Sequence, residues 1–358
     1  MQDLLFETRR EVQAARPFLK WAGGKSQLLP DIRMRLPDIL SRAKGVWNGR
    51  YFEPFVGSGA VFFDLRPQLD PQNVTLSDQN RELVLTYLAV RDHLDMLIER
   101  LLQHEHEHNG VRGKDRAKRL EYYKQVRALD RAPEWSRDAD ISAEALIEHA
   151  ARFIYLNRTC FNGLWRVNKS GFFNVPMGAY RRPTICNEKL LMSASMALQG
   201  VNILRRDFRA VAHSAAEGDL VYFDPPYQPL SVTSSFTAYS EGAFLEREHR
   251  QLAVVYLYLA ARGVHVVLSN SDTAFSREPL GPKHDVGVFA ANAIPILAEL
   301  GLDMSAALLH AAYQNHWNVS EVLATRAINS RASKRGAVSE IIVTVDPAIG
   351  PQDQPRQS

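Results

Sequence analysis

The chain is poor in cysteine. Two thiols, Cys160 and Cys186, in 358 residues cannot build a disulfide framework or a cysteine-ligated zinc site, so a reducing cytoplasm is expected. In that compartment the Asn-X-Ser/Thr matches at Asn73, Asn157, Asn168 and Asn318 carry no glycan. Long apolar runs are also missing. No stretch reaches the roughly 18 apolar residues of a membrane span, so no membrane partner is expected. The opening MQDLLFETRREVQ mixes acids with bases and has no apolar run, unlike a secretory signal. Internal repeats and low-complexity tracts are absent. What remains is 46% hydrophobic and 23% charged, the balance of a chain that buries a real core. At about 150 residues per domain, the length suggests two domains.

The net charge of +3 conceals an uneven distribution. Residues 151–210 carry ten Lys/Arg against Glu188 and Asp207, a local net of +8. Residues 51–150 carry 18 acids against 13 bases. A basic block of this kind suits a polyanion, because each Lys or Arg placed at a phosphate releases counterions. A solvated basic face is the plainer alternative.

Residues 51–56 (YFEPFV) are apolar and β-prone; GSGA breaks the run and VFFDL resumes it, which predicts strand, glycine turn and helix. VTLS (74–77) is a second short strand ending at Asp78. From Glu82 to Leu102, apolar residues recur at three- and four-residue spacing, predicting one amphipathic helix. Residues 103–119 read as a polar, basic loop, followed by helices near 121–129 and 143–157. From Thr159, FNGLWRVNKSGFFNVPMGAY has no helical period and reads as a hairpin or irregular loop. DLVYF (219–223) and VHVVLSN (264–270) are strands flanking a helix over 246–262, a pattern that indicates a parallel sheet. The expected fold is α/β, a Rossmann-like doubly wound sheet. A mostly helical module is inserted between about Asn80 and Gly200 and carries the hairpin.

Several motifs bear on chemistry. The turn Gly57-Ser58-Gly59 lets backbone approach a ligand at the carboxyl edge of the sheet. Asp78 follows 21 residues after Gly57, a spacing that suits a carboxylate on ribose hydroxyls. The dinucleotide pattern G-x-G-x-x-G is broken by Phe62, which disfavours NAD and leaves another nucleoside cofactor open. WAGGKS (21–26) is not a phosphate loop, because position 19 is Leu where that motif needs Gly. Lys25 in its tight turn either meets a carboxylate or is an ordinary exposed lysine. His104-Glu105-His106-Glu107-His108 formally satisfies H-E-x-x-H, but it opens into a charged run that reads as solvated surface, so no metal is expected. The sharpest feature is Asp224-Pro225-Pro226-Tyr227 at the exit of a hydrophobic strand. Two prolines fix the backbone and leave carbonyl acceptors, Asp224 adds an anionic acceptor, and Tyr227 offers a stacking face. Such a set suits a planar group bearing an NH2; a rigid turn is the alternative.

Taken together, these residues resemble the Dam-type DNA adenine-N6 methyltransferases, the group with target recognition between the cofactor and catalytic motifs. The resemblance is carried by PFLKWAGGK (17–25), FEPFVGSGAVF (52–62), LSDQN (76–80), YLNRTCFNGLWRVNKSGFFNVPMGAY (155–180), DPPYQPLSVTSSFTAYS (224–240) and VLSNSD (267–272). It implies S-adenosylmethionine as cofactor. Trp21 and Lys25 would line its methionine end, Gly57 and Gly59 would pass beneath it, and Asp78 would hold the ribose. Glu53, Phe55 and Asp224 complete the implied cofactor set. Asp224 and the Pro225 carbonyl would accept from the adenine amino group, with Pro226 in the same rigid turn and Tyr227 stacked on a flipped-out base.

The family's recognition sequence is often GATC in duplex DNA. Arg166 would read a guanine and Lys20 the outer guanine. Phe161 and Asn162 would wedge into the stack, and Leu164 and Pro176 would make apolar base contacts. Phe161, Trp165 and Met177 depart from residues common in the family. The expected organisation is a discontinuous catalytic unit of residues 1–79 and 200–350 and a target-recognition unit of 80–199; nothing in the sequence demands a dimer, and a monomer is expected. Residues 278–320 match nothing in the family and are expected to be an atypical insertion, either an extra helical pair or a partner surface. Residues 322–345 resemble the closing β-hairpin, with Arg331, Lys334 and Arg335 at its tip. Methylation of an RNA or protein amino group, and a DNA-binding relative without catalysis, are the competing readings.

Overall fold

The computed structural model describes residues 14–111, 114–132, 135, 141–227, 244–325 and 337–345. Residues 228–240 of the DPPY motif and the hairpin tip at Arg331, Lys334 and Arg335 lie outside them.

Seven strands form one sheet: β1 (Tyr51–Glu53), β2 (Val74–Asp78), β3 (Asn202–Arg205), β4 (Leu220–Phe223), β5 (His265–Ser271), β6 (Asn318–Thr325) and β7 (Ala337–Thr344). Their order is β3-β2-β1-β4-β5-β7-β6. The first five are parallel, and β7 runs antiparallel to both β5 and β6. Strand order therefore reverses between β1 and β4, and in open α/β sheets ligands bind beyond the carboxyl ends of the strands at that point.

The helices are α1 (Leu29–Arg33), α2 (Asp38–Ser41), α3 (Ala60–Leu65), α4 (Arg81–Asp92), α5 (Leu94–Glu105), α6 (Arg116–Ala128), α7 (Ala143–Thr159), α8 (Glu188–Leu198), α9 (Glu246–Ala261), α10 (Ala274–Arg277), α11 (Val286–Leu300) and α12 (Ala306–His316). Strand residues alternate between two cores because successive side chains point to opposite faces. Leu220 and Tyr222 join α4, α5, α7 and α8 in one core; Val221 and Phe223 join α9, α11 and α12 in the other. Helix starts follow the sequence closely. Asn80 caps α4, Ser142 caps α7 and Asn187 caps α8, each side-chain oxygen accepting from a backbone N–H of the first turn.

Three expectations need correction. The single helix over 82–102 is two, broken at His93, which lets α4 and α5 each pack on α7. The supposed loop at 103–119 is largely helical: α5 runs into a π-helical turn (His106–Val111), and α6 begins at Arg116. The His-Glu run itself is only partly solvated, with His106 exposed. His104 and His108 are buried, with Nδ1 paired to the hydroxyls of Tyr122 (2.8 Å) and Tyr155 (2.9 Å). Burial, aided by nearby Arg100 and Arg119, lowers their pKa values to about 3 and about 4, so both are neutral. No group of metal-ligating side chains occurs among the described residues.

Residues 278–320 fold as a helical pair, α11 and α12, packed on α9 in the crossover from β5 to β6. The polar residues in this apolar stretch have local work. Asn292 donates to the Leu280 carbonyl, and Glu299 accepts from Arg247 and Gln251 of α9.

The basic block divides in two. Arg166, Lys169, Arg181, Arg182 and Lys189 are exposed. Arg152, by contrast, is 1% exposed and anchors α7: Nη2 pairs with Asp130 (2.7 Å) and donates to the Arg127 carbonyl, and Nε donates to the Val126 carbonyl. Removing Arg152 takes from the largely buried Asp130 one of its two counter-charges among the described residues, leaving only Arg131 (2.9 Å). Arg152→Ala is expected to lower unfolding free energy by about 3–5 kcal/mol in urea titrations; a loss below about 1 kcal/mol would show the pair to be dispensable.

Candidate active site

The carboxyl ends of β1, β2 and β4 open onto a cavity of about 380 Å³. Its lining brings together Trp21, Lys25, Glu53, Phe55, Gly57, Asp78, Asp224, Pro225, Pro226 and Tyr227, residues that span the chain from position 21 to position 227. Gly59 lies just behind, at the N-cap of α3.

The glycine turn is dictated by backbone and crowding together. Gly57 and Gly59 have φ of +47° and +70°, where side chains are disfavoured. A Cβ on Gly57 would stand 2.8 Å from the Trp21 ring, and one on Gly59 2.8 Å from the Tyr87 hydroxyl. That same hydroxyl donates to the Gly57 carbonyl (3.1 Å).

Asp78, at the end of β2, accepts from the backbone N–H of Asn80 (2.9 Å) and Gly57 (3.4 Å). Burial outweighs these bonds and pushes its carboxyl up to about 6. Glu53 is 2% exposed and accepts from the Tyr51 hydroxyl (2.7 Å). Burial pushes its carboxyl up to about 8, so it is mostly protonated at neutral pH.

Lys25 is not an exposed lysine. It is 3% exposed, and its ammonium donates to the Gly23 carbonyl (2.9 Å), the Tyr227 hydroxyl (2.7 Å) and Asp224 Oδ1 (2.6 Å). Ser269 of β5 adds a bond to Asp224 Oδ1 (3.2 Å). Burial pushes the Asp224 carboxyl up, with Lys25 opposing.

The segment after α7 forms the cavity's rim. It is hairpin-like, held by isolated antiparallel bridges Cys160–Met177 and Val167–Phe173 rather than continuous strands. Trp165 roots it: its ring lies 4.1 Å from that of Phe153 and 4.8 Å from that of Phe173, and it lines the cavity. Phe161 is 39% exposed, so it is not a core residue. Asn162 sits in the left-handed region (φ 55°), as the Asn-Gly turn predicts. Pro176 and Arg166 are exposed, and Arg166 Nε donates to Asn174 (2.8 Å). Leu164 packs against the core. Lys20 lies over the Tyr180 ring (4.5 Å).

Sequence reasoning missed Asn157, Ser269 and Glu340. Asn157 is fully buried and clamps two segments: Oδ1 accepts from Lys20 N (2.9 Å), while Nδ2 donates to the carbonyls of Lys20 (2.7 Å) and Gly163 (3.1 Å). Glu340 of β7 lies 3.8 Å from Lys25. Its sequence signal was a lone charge among the strand residues Ile341, Ile342 and Val343.

Residues 21–281 match the D12 class N6 adenine-specific DNA methyltransferases. The chain belongs to that family. It is therefore an adenine-specific DNA methyltransferase. It is 36% identical over 331 residues to the type II methyltransferase M1.LlaDCHI of Lactococcus lactis subsp. cremoris, covering 92% of this chain and 95% of the relative. It is 43% identical over 256 residues to the type II methyltransferase M.MjaIII of Methanocaldococcus jannaschii (72% and 84%). It is 34% identical over 263 residues to the DNA adenine methylase of Escherichia coli K12 (74% and 83%). No described helix is long and apolar enough to cross a membrane.

The raised Glu53 carboxyl has a pH signature. A carboxyl that holds its proton more tightly when folded contributes stability below its unfolded value of 4.5, and loses it as pH rises through about 8. Stability of the methyltransferase is expected to fall over that window, and Glu53→Gln to flatten the fall. Denaturation series at several pH values check this; equal slopes for the two proteins would contradict it.

Proposed function

We propose that this methyltransferase modifies adenine N6 in duplex DNA at GATC, with S-adenosylmethionine as donor, acting as a monomer in the cytoplasm. The observation that carries the reading is the junction of two features. The Lys25-bound Asp224 lies at the topological switch point, and Trp165 links that cavity to an exposed, basic hairpin.

The cavity suits a nucleoside donor: Asp78 is a held acceptor for ribose hydroxyls, Trp21 and Phe55 are flat apolar walls, and the glycine turn leaves room for close approach. When bound, the donor supplies an electrophilic sulfonium methyl. The chain's own residues do the rest. Asp224 and the Pro225 carbonyl accept the two N–H bonds of the adenine amino group, drawing its nitrogen lone pair out of ring conjugation. Pro225 and Pro226 hold these acceptors rigid. Lys25 favours the charged form of Asp224 and fixes the Tyr227 hydroxyl, so that the Tyr227 ring can stack on the extruded base.

In this reading residues 1–79 and 200–350 form the catalytic unit and 80–199 the recognition unit. Arg166 and Lys20 read guanines. Phe161 and Asn162 fill the stack, and Leu164 and Pro176 touch bases. The names of the two type II relatives point to service beside a restriction endonuclease.

Asp224→Ala is expected to cut single-turnover methyl transfer by about 1,000-fold or more while leaving DNA affinity within several-fold. A fully active variant would refute the assigned role. Arg166→Ala is expected to relax discrimination at one base pair by about 1–3 kcal/mol. Rates on a panel of single-substituted duplexes measure it, and an unchanged profile would remove Arg166 from base reading.

A further inference from the structure

We propose that Glu340 is the second counter-charge of the active site, and that it makes the site prefer a cationic sulfonium over the neutral thioether left after transfer. The inference rests on S-adenosylmethionine being the donor.

Glu340 reaches the site by strand pairing. It lies opposite Ser271 in the β5–β7 ladder, at the carboxyl end of β5 and two strands beyond the β4 exit that carries Asp224. Its side chain is 7% exposed, and Oε2 stands 3.8 Å from Lys25 Nζ. Oε2 accepts no hydrogen bond among the described residues. Lys25 has no N–H left to give it, because all three are directed at Gly23, Asp224 and Tyr227. A buried carboxylate oxygen without a donor is costly, and such violations of local satisfaction concentrate where function uses them.

Charge accounting shows what that use is. Lys25 meets two acidic side chains, Asp224 at 2.6 Å and Glu340 at 3.8 Å, so one ammonium faces two carboxyl groups. One ammonium matches only one of these two carboxyl groups, and a ligand bearing one positive charge beside them supplies the second counter-charge. Without Glu340, the Lys25–Asp224 pair is already neutral and offers no such preference. The effect is strong because these groups are buried, where charges a few ångströms apart interact far more strongly than in water. Asp78 also carries charge, but it lies at the ribose-binding end of the cavity rather than beside Lys25.

The test is calorimetric binding of S-adenosylmethionine and, separately, S-adenosylhomocysteine to the full chain and to Glu340→Gln. Glutamine keeps the shape and removes the charge. The variant is expected to lose about tenfold in affinity for the sulfonium while its thioether affinity stays within about twofold, because only the charged ligand feels the lost carboxylate. Retained thioether binding also shows the variant site to be folded. Equal loss for both ligands would make Glu340 a structural residue and overturn the inference, as would no loss for either. Wild-type protein that binds neither ligand would overturn the donor reading, and this inference with it.

Discussion

The site depends on one buried ion pair, Lys25 with Asp224. It joins a tight turn near the N-terminus to the exit of the central strand β4, across 199 positions of sequence, with a 2.6 Å contact. Taking both charges out of water is expensive, so such a pair is weak evidence for stability and better evidence for a fixed arrangement. What it fixes is clear. The same ammonium holds the Tyr227 hydroxyl and the Gly23 carbonyl, so one side chain fixes Asp224, Tyr227 and the Gly23 turn relative to one another. The strands could assemble without this lysine, but the site would not be the same site.

Around that pair the fold is a means of convergence. The reversal of strand order between β1 and β4 opens a crevice, and the glycine turn after β1 and the Asp-Pro-Pro-Tyr turn after β4 fill its two walls. The long excursion between β2 and β3 returns a hairpin to the rim. Its root is aromatic, Trp165 on Phe153, and its approach to the N-terminal segment is set by Asn157 bonding both Lys20 and Gly163. Family membership gives adenine in DNA, and the cavity shows which side chains converge at the switch point.

Much of this was legible in the sequence because local patterns carried it. The apolar run into Asp224, the glycine turn after YFEPF and the acid ending β2 each announce their position without reference to distant residues. The failures share a physical cause: they depend on partners far away in the chain. Periodicity over 82–102 cannot show the break at His93, since apolar residues keep three- and four-residue spacing on both sides of it. His104 and His108 look like surface until Tyr122 and Tyr155 arrive to bond them. Arg152 reads as part of a basic face although it is a buried structural cation. Glu340 is invisible as a site residue until β7 pairs with β5. Residues 278–320 read as foreign because the crossover from β5 to β6 needs only apolar helices that fit α9, a requirement many sequences meet.

The most direct test of the account uses purified protein, S-adenosylmethionine and an unmethylated plasmid, followed by single-molecule sequencing for modified bases. The account predicts N6-methyladenine confined to GATC. Methyladenine at a different sequence would keep the chemistry and contradict the assignment of the hairpin residues. No methyladenine anywhere, from protein that binds the donor, would contradict the central claim that the Lys25–Asp224 site acts on adenine in duplex DNA.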